Sequence, residues 1–237
     1  AMALRGVLES SDQPFEIHVI GTPSEESLDG GKNEMAAHGG FDHIDVAFMV
    51  HGSTLTQLET PSLALIEMDV EFHGKTAHAG IAPYAGRSAV DAVTMLQTGL
   101  GLMRNHLKDS SRVSNIVLAG GTAVNSVPDF AKVKVEIRHS SMAYLESVEQ
   151  WTREIAQAAA MATQTQVQIT PVAHIYNTTI NDAMGALLME CAEKFACDGI
   201  APPRKDCGST DFGAVTHRLP SCCLLYTSPS PRDTERS

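Results

Sequence analysis

Cationic residues are scarce in this chain. Only 17 Lys+Arg stand against 28 Asp+Glu over 237 residues, a formal net charge of −11. Phosphate-rich partners demand a basic surface, so the balance argues against general affinity for nucleic acid or an anionic membrane face. No run approaches the ~20 apolar residues that cross a bilayer, and no charged-then-apolar leader opens the chain. The 5 Cys are odd in number and three fall late, at Cys207, Cys222 and Cys223. They make no disulfide framework, and a cytoplasmic, reducing location is expected. Gly-rich phosphate loops, CxxC pairs and GxSxG elbows are missing as well. Cys207 and Ser209 invite a nucleophile reading, yet nothing in their local spacing supplies a base. What is present is a hydrophobic share of 43%, ample for a packed core, and 10 His, which direct attention to metal chemistry. The length allows one large domain or two modest ones.

Residues 1–8 read as the later part of an amphipathic helix. Phe15 to Ile20 alternates weakly and runs into Gly21-Thr22-Pro23, a strand and loop. Gly30-Gly31 opens a short helix, Asn33 to His38, closed by Gly39-Gly40. Ile44 to Val50 is nearly continuous and suits a strand buried on both faces of a parallel sheet. After Pro61 the pattern changes. Leu65 to Phe72 alternates, with Ile66, Met68, Val70 and Phe72 on one face and Glu67, Asp69 and Glu71 on the other. A helix over 86–107, strands over 112–119 and 130–139, a helix over 141–163 and a strand over 166–173 complete a βαββαβ order. That order predicts a ferredoxin-like sheet with two helices on one face. Lys132 and Lys134 would meet the acidic strand across it. From Ile180 the chain returns to helix and then to Cys207-Gly-Ser-Thr-Asp-Phe-Gly213. The expected class is α/β, with the first part of a catalytic domain at 1–61, an inserted unit at 62–175, and the second part at 176–222. Residues 223–237 resemble the out-of-frame translation of a sequencing adapter and are set aside from fold reasoning.

Glu25 and Glu26 follow a strand and a tight turn. Adjacent side chains diverge, so one carboxylate can bind a metal while the other accepts a proton from the attacking water. Taken alone, the pair is more ordinarily explained as a solvated acidic loop. His51 ends the next strand at the same sheet edge, where a neutral imidazole is a good zinc ligand. His78 sits among small residues before Pro83, where a substrate can approach its ring closely. Asn125, in Asn125-Ser-Val-Pro-Asp129, offers an amide, although an Asx-type turn is its ordinary explanation. His18, His43, His73, His106, His139 and His174 show no ligand-like clustering.

Thr22-Pro-Ser-Glu-Glu26, the His51 strand, Gly74-Lys-Thr-Ala-His78 with Pro83, Asn125 to Asp129, Arg138 and Gly208-Ser-Thr-Asp-Phe212 occur in one order that resembles a known family. It is the zinc metallopeptidases and amidohydrolases that include aminoacylase, carboxypeptidase G and hippurate hydrolase. The wording is most similar to the Xaa-Arg dipeptidase and aminobenzoyl-glutamate hydrolase branch. The resemblance implies a zinc-peptidase-like domain with an inserted dimerisation or lid domain, and hydrolysis of an amide bond in a dipeptide or N-acyl amino acid. It implies Zn2+, with Mn2+ or Co2+ as substitutes, held by Glu26 and His51. Glu25 would be the general base, and His78 would stabilise the oxyanion in the partner subunit of a homodimer. Asn125, Arg138, Gly208, Ser209 and Thr210 would contact substrate. The family's first ligand segment and its C-terminal ligand His have no match here, and His217 stands too near the Gly208 loop for the latter role. A catalytic zinc takes three protein ligands, so this chain alone is expected to be inactive. The competing expectation is a non-catalytic dimerisation or binding module of the same fold.

Overall fold

The computed structural model describes residues 2–10, 12, 14–25, 30–58, 61–195, 199–202 and 208–227. The chain opens with helix α1 (Met2–Leu8), followed by the short helix α2 (Gly31–Ala37) and strands β1 (Ala47–Ser53) and β2 (Gln57–Leu58). The alternating run then forms β3 (Ala64–His73). After it come α3 (Ala89–Met103), β4 (Arg112–Ala119), β5 (Phe130–His139), α4 (Met142–Thr163) and β6 (Gln166–Ile175). Helix α5 (Asp182–Phe195), the single turn α6 (Gly213–Thr216) and strand β7 (Ser221–Thr227) close the order.

Strands β3 to β6 make an antiparallel sheet in the order β4-β5-β3-β6, with the first strand of the unit in the middle. This is the ferredoxin-like arrangement expected from the sequence. Period-two alternation buries Met68, Val70 and Phe72 of β3 and Val133, Val135 and Ile137 of β5, all at 0% exposure. Leu96 and Leu100 of α3 and Leu145 and Val148 of α4 cover that face. Ser88 caps α3 by accepting from the Asp91 amide, and Ser141 caps α4 by accepting from the Tyr144 amide. The helices approach closely at Gly99, where a Cβ would lie 2.5 Å from the Ile155 side chain. Trp151 of α4, whose spacing with Leu145, Val148 and Ile155 predicts a buried position, is instead 37% exposed beside His106. Thr152 and Ala156, both at 0% exposure, take the inward positions.

The other face of the sheet is laced by charge. Lys132 Nζ lies 2.7 Å from Asp69 and 3.0 Å from Glu71, and Lys134 Nζ lies 2.6 Å from Glu67. The cross-strand pairing anticipated between the lysines and the acidic strand is therefore present. Those carboxylates accept hydrogen bonds from the two ammonium groups and hold both above their ordinary pKa.

A second sheet has the order β1-β7-β2, with β1 parallel and β2 antiparallel to β7. Its core gathers Ala36, Phe41, Phe212, Val215, Leu219 and Cys223. Three local expectations change here. Residues 15–20 form no strand: Val19 is 79% exposed, and among the described residues no strand pairs with the segment. Strand β1 is an edge strand rather than one buried on both faces, with Phe48 and Val50 exposed. Cys223 to Thr227, set aside in the sequence reading, complete β7, because the run Cys222-Cys-Leu-Leu-Tyr226 has the apolar character a strand requires.

Two linkers join the sheets and lie side by side. The Ser62 amide donates to Thr178 Oγ1 (2.7 Å), and the Thr178 amide donates to Ser62 Oγ (3.0 Å), both within a buried setting.

Candidate active site

The loop after Gly21 carries Glu25, and its shape is set by backbone strain. Ser24 has φ 59, a left-handed value unusual for a residue with a side chain. Glu25 Oε1 accepts a hydrogen bond from Thr210 Oγ1 at 3.3 Å. Thr210 belongs to the Gly208 loop, which the structure thereby brings to the first acidic residue of the pair. Glu26, the expected metal ligand, lies outside the described residues.

The same loop contacts the four-stranded sheet. The Gly208 carbonyl accepts from the Leu63 amide at 2.8 Å, and Ser209 Oγ accepts from Arg138 Nη1 at 3.2 Å. Arg138 is held in turn by Glu136, with Nε–Oε1 at 2.8 Å and Nη2–Oε2 at 2.9 Å. This fork-to-fork pairing fixes the guanidinium plane while leaving Nη1 for Ser209. Arg138, Ser209, Thr210 and Glu25 are thus one connected set, drawn from strand β5 and two loops.

His78 and Asn125 are also brought together. A β-bridge joins His78 to Ser126, the Ala79 amide donates to the Asn125 carbonyl, and the Val127 amide donates to the Ala77 carbonyl. Thr76 and Ser126 hydroxyls meet at 3.0 Å. The two segments form a zipped, exposed tip on the ferredoxin-like unit.

The hydrogen bonds of His51 and His78 determine their neutral tautomers. His51 Nδ1 sits 2.8 Å from the Gly52 carbonyl oxygen, which can only accept. The ring therefore carries its hydrogen on Nδ1 and presents a lone pair at Nε2. His78 Nδ1 accepts from the Gly80 amide at 3.2 Å, so its hydrogen resides on Nε2. One ring offers a lone pair and the other offers a donor. Among the described residues, no three His, Cys, Asp or Glu side chains converge as a metal cluster. His217, by contrast, spends its Nε2 on the Asn177 carbonyl at 2.8 Å.

Sequence reasoning missed one pair. Lys32 Nζ lies 2.5 Å from Asp211 Oδ1, and the Lys32 amide donates to Asp211 Oδ2 at 3.1 Å. Their side chains are only 9% and 1% exposed. The available signal was a Lys directly after Gly30-Gly31 and an Asp inside the Gly208 loop, but nothing in sequence links positions 179 residues apart.

Fold and contacts together define a class. Residues 64–164 match a peptidase dimerisation domain, laid out as the ferredoxin-like unit described above. Over most of its length, the chain is similar to a dipeptidase and to a p-aminobenzoyl-glutamate hydrolase. It is 33% identical over 226 residues to Xaa-Arg dipeptidase of Mus musculus, covering 93% of this chain and 52% of the relative. It is 32% identical over 190 residues to one component of the p-aminobenzoyl-glutamate hydrolase of Escherichia coli K12, covering 78% of this chain and 39% of that one. The crystal structure of an aminobenzoyl-glutamate utilization protein from Klebsiella pneumoniae superposes with a TM-score of 0.72 at 26% identity, covering 87% of this chain and 56% of that one. The chain spans about half the length of the dipeptidase it matches. The resemblance drawn from the motifs, and the α/β class with it, is borne out.

Proposed function

We propose that the protein to which this chain belongs hydrolyses the amide bond of a dipeptide or N-acyl amino acid with the help of a divalent metal. The observation that carries this reading is the opposite tautomers of His51 and His78, taken with the Glu25–Thr210 contact. A metal ligand needs a lone pair, and an oxyanion needs a donor. The two rings are set for those two tasks.

The Nδ1–H of His51 is spent on a backbone carbonyl, the common way a ligating imidazole is oriented, so the residue fits a metal through Nε2. Glu26 and His51 would hold Zn2+, with Mn2+ or Co2+ as substitutes, and a bound metal supplies Lewis acidity that brings the pKa of water toward ~7. Glu25 accepts the proton of the attacking water and passes it to the leaving amine. Thr210 holds the carboxylate for that transfer. His78 donates Nε2–H to the oxygen that gains charge, acting across a homodimer formed through 62–175, and Asn125 contacts substrate from the same tip. Arg138 and the Gly208–Thr210 segment line the substrate side. Residues 1–61 and 176–222 would form the catalytic part around the inserted unit, a reading supported by the match of 64–164 to a dimerisation domain.

Zinc titration of this chain is expected to show weak binding without dipeptide hydrolysis, since two ligands are fewer than a catalytic zinc takes. In the protein of full relative length, Glu25→Gln is expected to lower kcat by about 10²–10⁴-fold. Undiminished hydrolysis by that variant would remove Glu25 from the mechanism.

A further inference from the structure

The Lys32–Asp211 pair is almost fully withdrawn from water, and such pairs are weak sources of stability. Desolvating two charges costs as much as their attraction returns, so an apolar pair would hold the same space as well. Its use is better sought in what it connects.

Asp211 immediately follows Thr210, which donates to the Glu25 carboxylate. Lys32 immediately follows Gly31, which is pressed onto the Glu25 loop: a Cβ at Gly31 would lie 2.0 Å from the Pro23 carbonyl oxygen. Pro23 stands two residues before Glu25, with strained Ser24 between them. The contacts close a ring. It runs from Glu25 to Thr210, along the chain to Asp211, across the ion pair to Lys32, back to Gly31, and onto Pro23. Asp211 uses both carboxylate oxygens, one for Nζ and one for the Lys32 amide, so it fixes the orientation of the first turn of α2 as well as its distance.

We propose that Lys32 and Asp211 are a positioning pair that fixes the Glu25 carboxylate by locking the 208–212 loop onto the turn that supports residues 21–25. The inference rests on the hydrolase reading only in calling Glu25 a base; the mechanical coupling stands on contacts alone. Neither residue touches the reacting atoms. An ion pair gives the ring a strong, directional closure, whereas Thr210 to Glu25 is a single long hydrogen bond.

The test is amide hydrogen exchange on this chain, read without substrate or metal, for the unsubstituted protein, Lys32→Met and Asp211→Asn. Exchange is expected to rise about tenfold in both 21–25 and 208–212, with protection in the β3–β6 sheet unchanged. Alongside it, the 13C carboxyl resonance of Glu25, identified by its loss in Glu25→Gln, should move in both variants. A role limited to overall stability would leave that resonance in place and raise exchange throughout. The proposal is overturned if exchange rises in 208–212 alone, or if it rises uniformly with the Glu25 line unmoved. Should Lys32→Met fail to fold, the near-isosteric Asp211→Asn decides the outcome by the same two readings. Hydrolysis lost in the full-length Glu25→Gln protein bears on the function, and unchanged exchange bears only on this coupling, so the two can fail separately.

Discussion

Two histidines with the same side chain present different ring nitrogens because their neighbours differ. A carbonyl beside His51 takes the Nδ1 hydrogen, while an amide beside His78 supplies one. On the proposed oxyanion role, replacing His78 by Ala in the full-length protein is expected to lower kcat by about 10²–10³-fold with a small change in KM, since such a donor acts on charge that develops in the transition state. Steady-state kinetics separates the two constants, and a rise in KM alone would assign His78 to ground-state binding. Candidate residues such as Glu25, His51 and His78 stood out in the sequence as an acidic pair after a Gly-Thr-Pro turn, a His in an apolar run and a His among small residues. His51 nevertheless lies within β1, and no strand precedes Glu25 among the described residues. Lys32 and Asp211 did not stand out, since their meaning lies in a contact across 179 positions. Tautomers were equally hidden, being set by backbone atoms that every residue shares.

Among the elements, strand β3 carries both a core and a charged ladder. Its inner face is read directly from alternation, and Leu96 of α3 packs over it at 0% exposure. Leu96→Ala is expected to cost about 2–5 kcal/mol, measured by chemical unfolding. On the outer face, Asp69 and Glu71 raise the pKa of Lys132, and Glu67 raises that of Lys134. A lysine whose pKa is higher folded than unfolded contributes stability that is whole below the unfolded value and fades as pH passes the folded one. Thermal stability should therefore fall as pH climbs above about 10.5. Circular dichroism melts should show a shallower fall in Lys134→Met, and an identical slope in that variant would deny the ladder any alkaline role. The elements that sequence reading placed poorly are those whose state depends on neighbours. Residues 15–20 alternate only weakly and find no partner strand among the described residues, and β1 packs Ala47 and Met49 against the core while Phe48 and Val50 on its other face stay exposed. Trp151 shares the spacing of inward residues, yet Thr152 and Ala156 hold the buried positions.

At the scale of the whole molecule, the dimerisation domain leads to the expectation that this chain self-associates. Sedimentation velocity across a wide concentration range should show a dimer, and a strict monomer at the highest concentration would count against His78 acting in trans. The expected start of the inserted unit rested on the change of hydrophobic period after Pro61, and the first strand of the four-stranded sheet begins at Ala64. How the units touch was not legible in the sequence, because the Gly208 loop meets Arg138 and Glu25 through single side-chain contacts that leave no periodic trace.

The paired bonds between Ser62 and Thr178 have a consequence for how the chain finds its fold. These residues are 116 positions apart in sequence and adjacent in space. For a random coil, bringing such distant points together costs entropy that grows with the logarithm of the intervening length. Once the β3–β6 sheet has formed, its two ends already emerge side by side, and the long excursion behaves as a short tether. The pairing of β1 with β7, which must span the same excursion, then proceeds at a much reduced entropic cost. The ferredoxin-like unit is in this sense a template for the outer sheet, and a substitution that delays its folding should delay β1–β7 pairing in step.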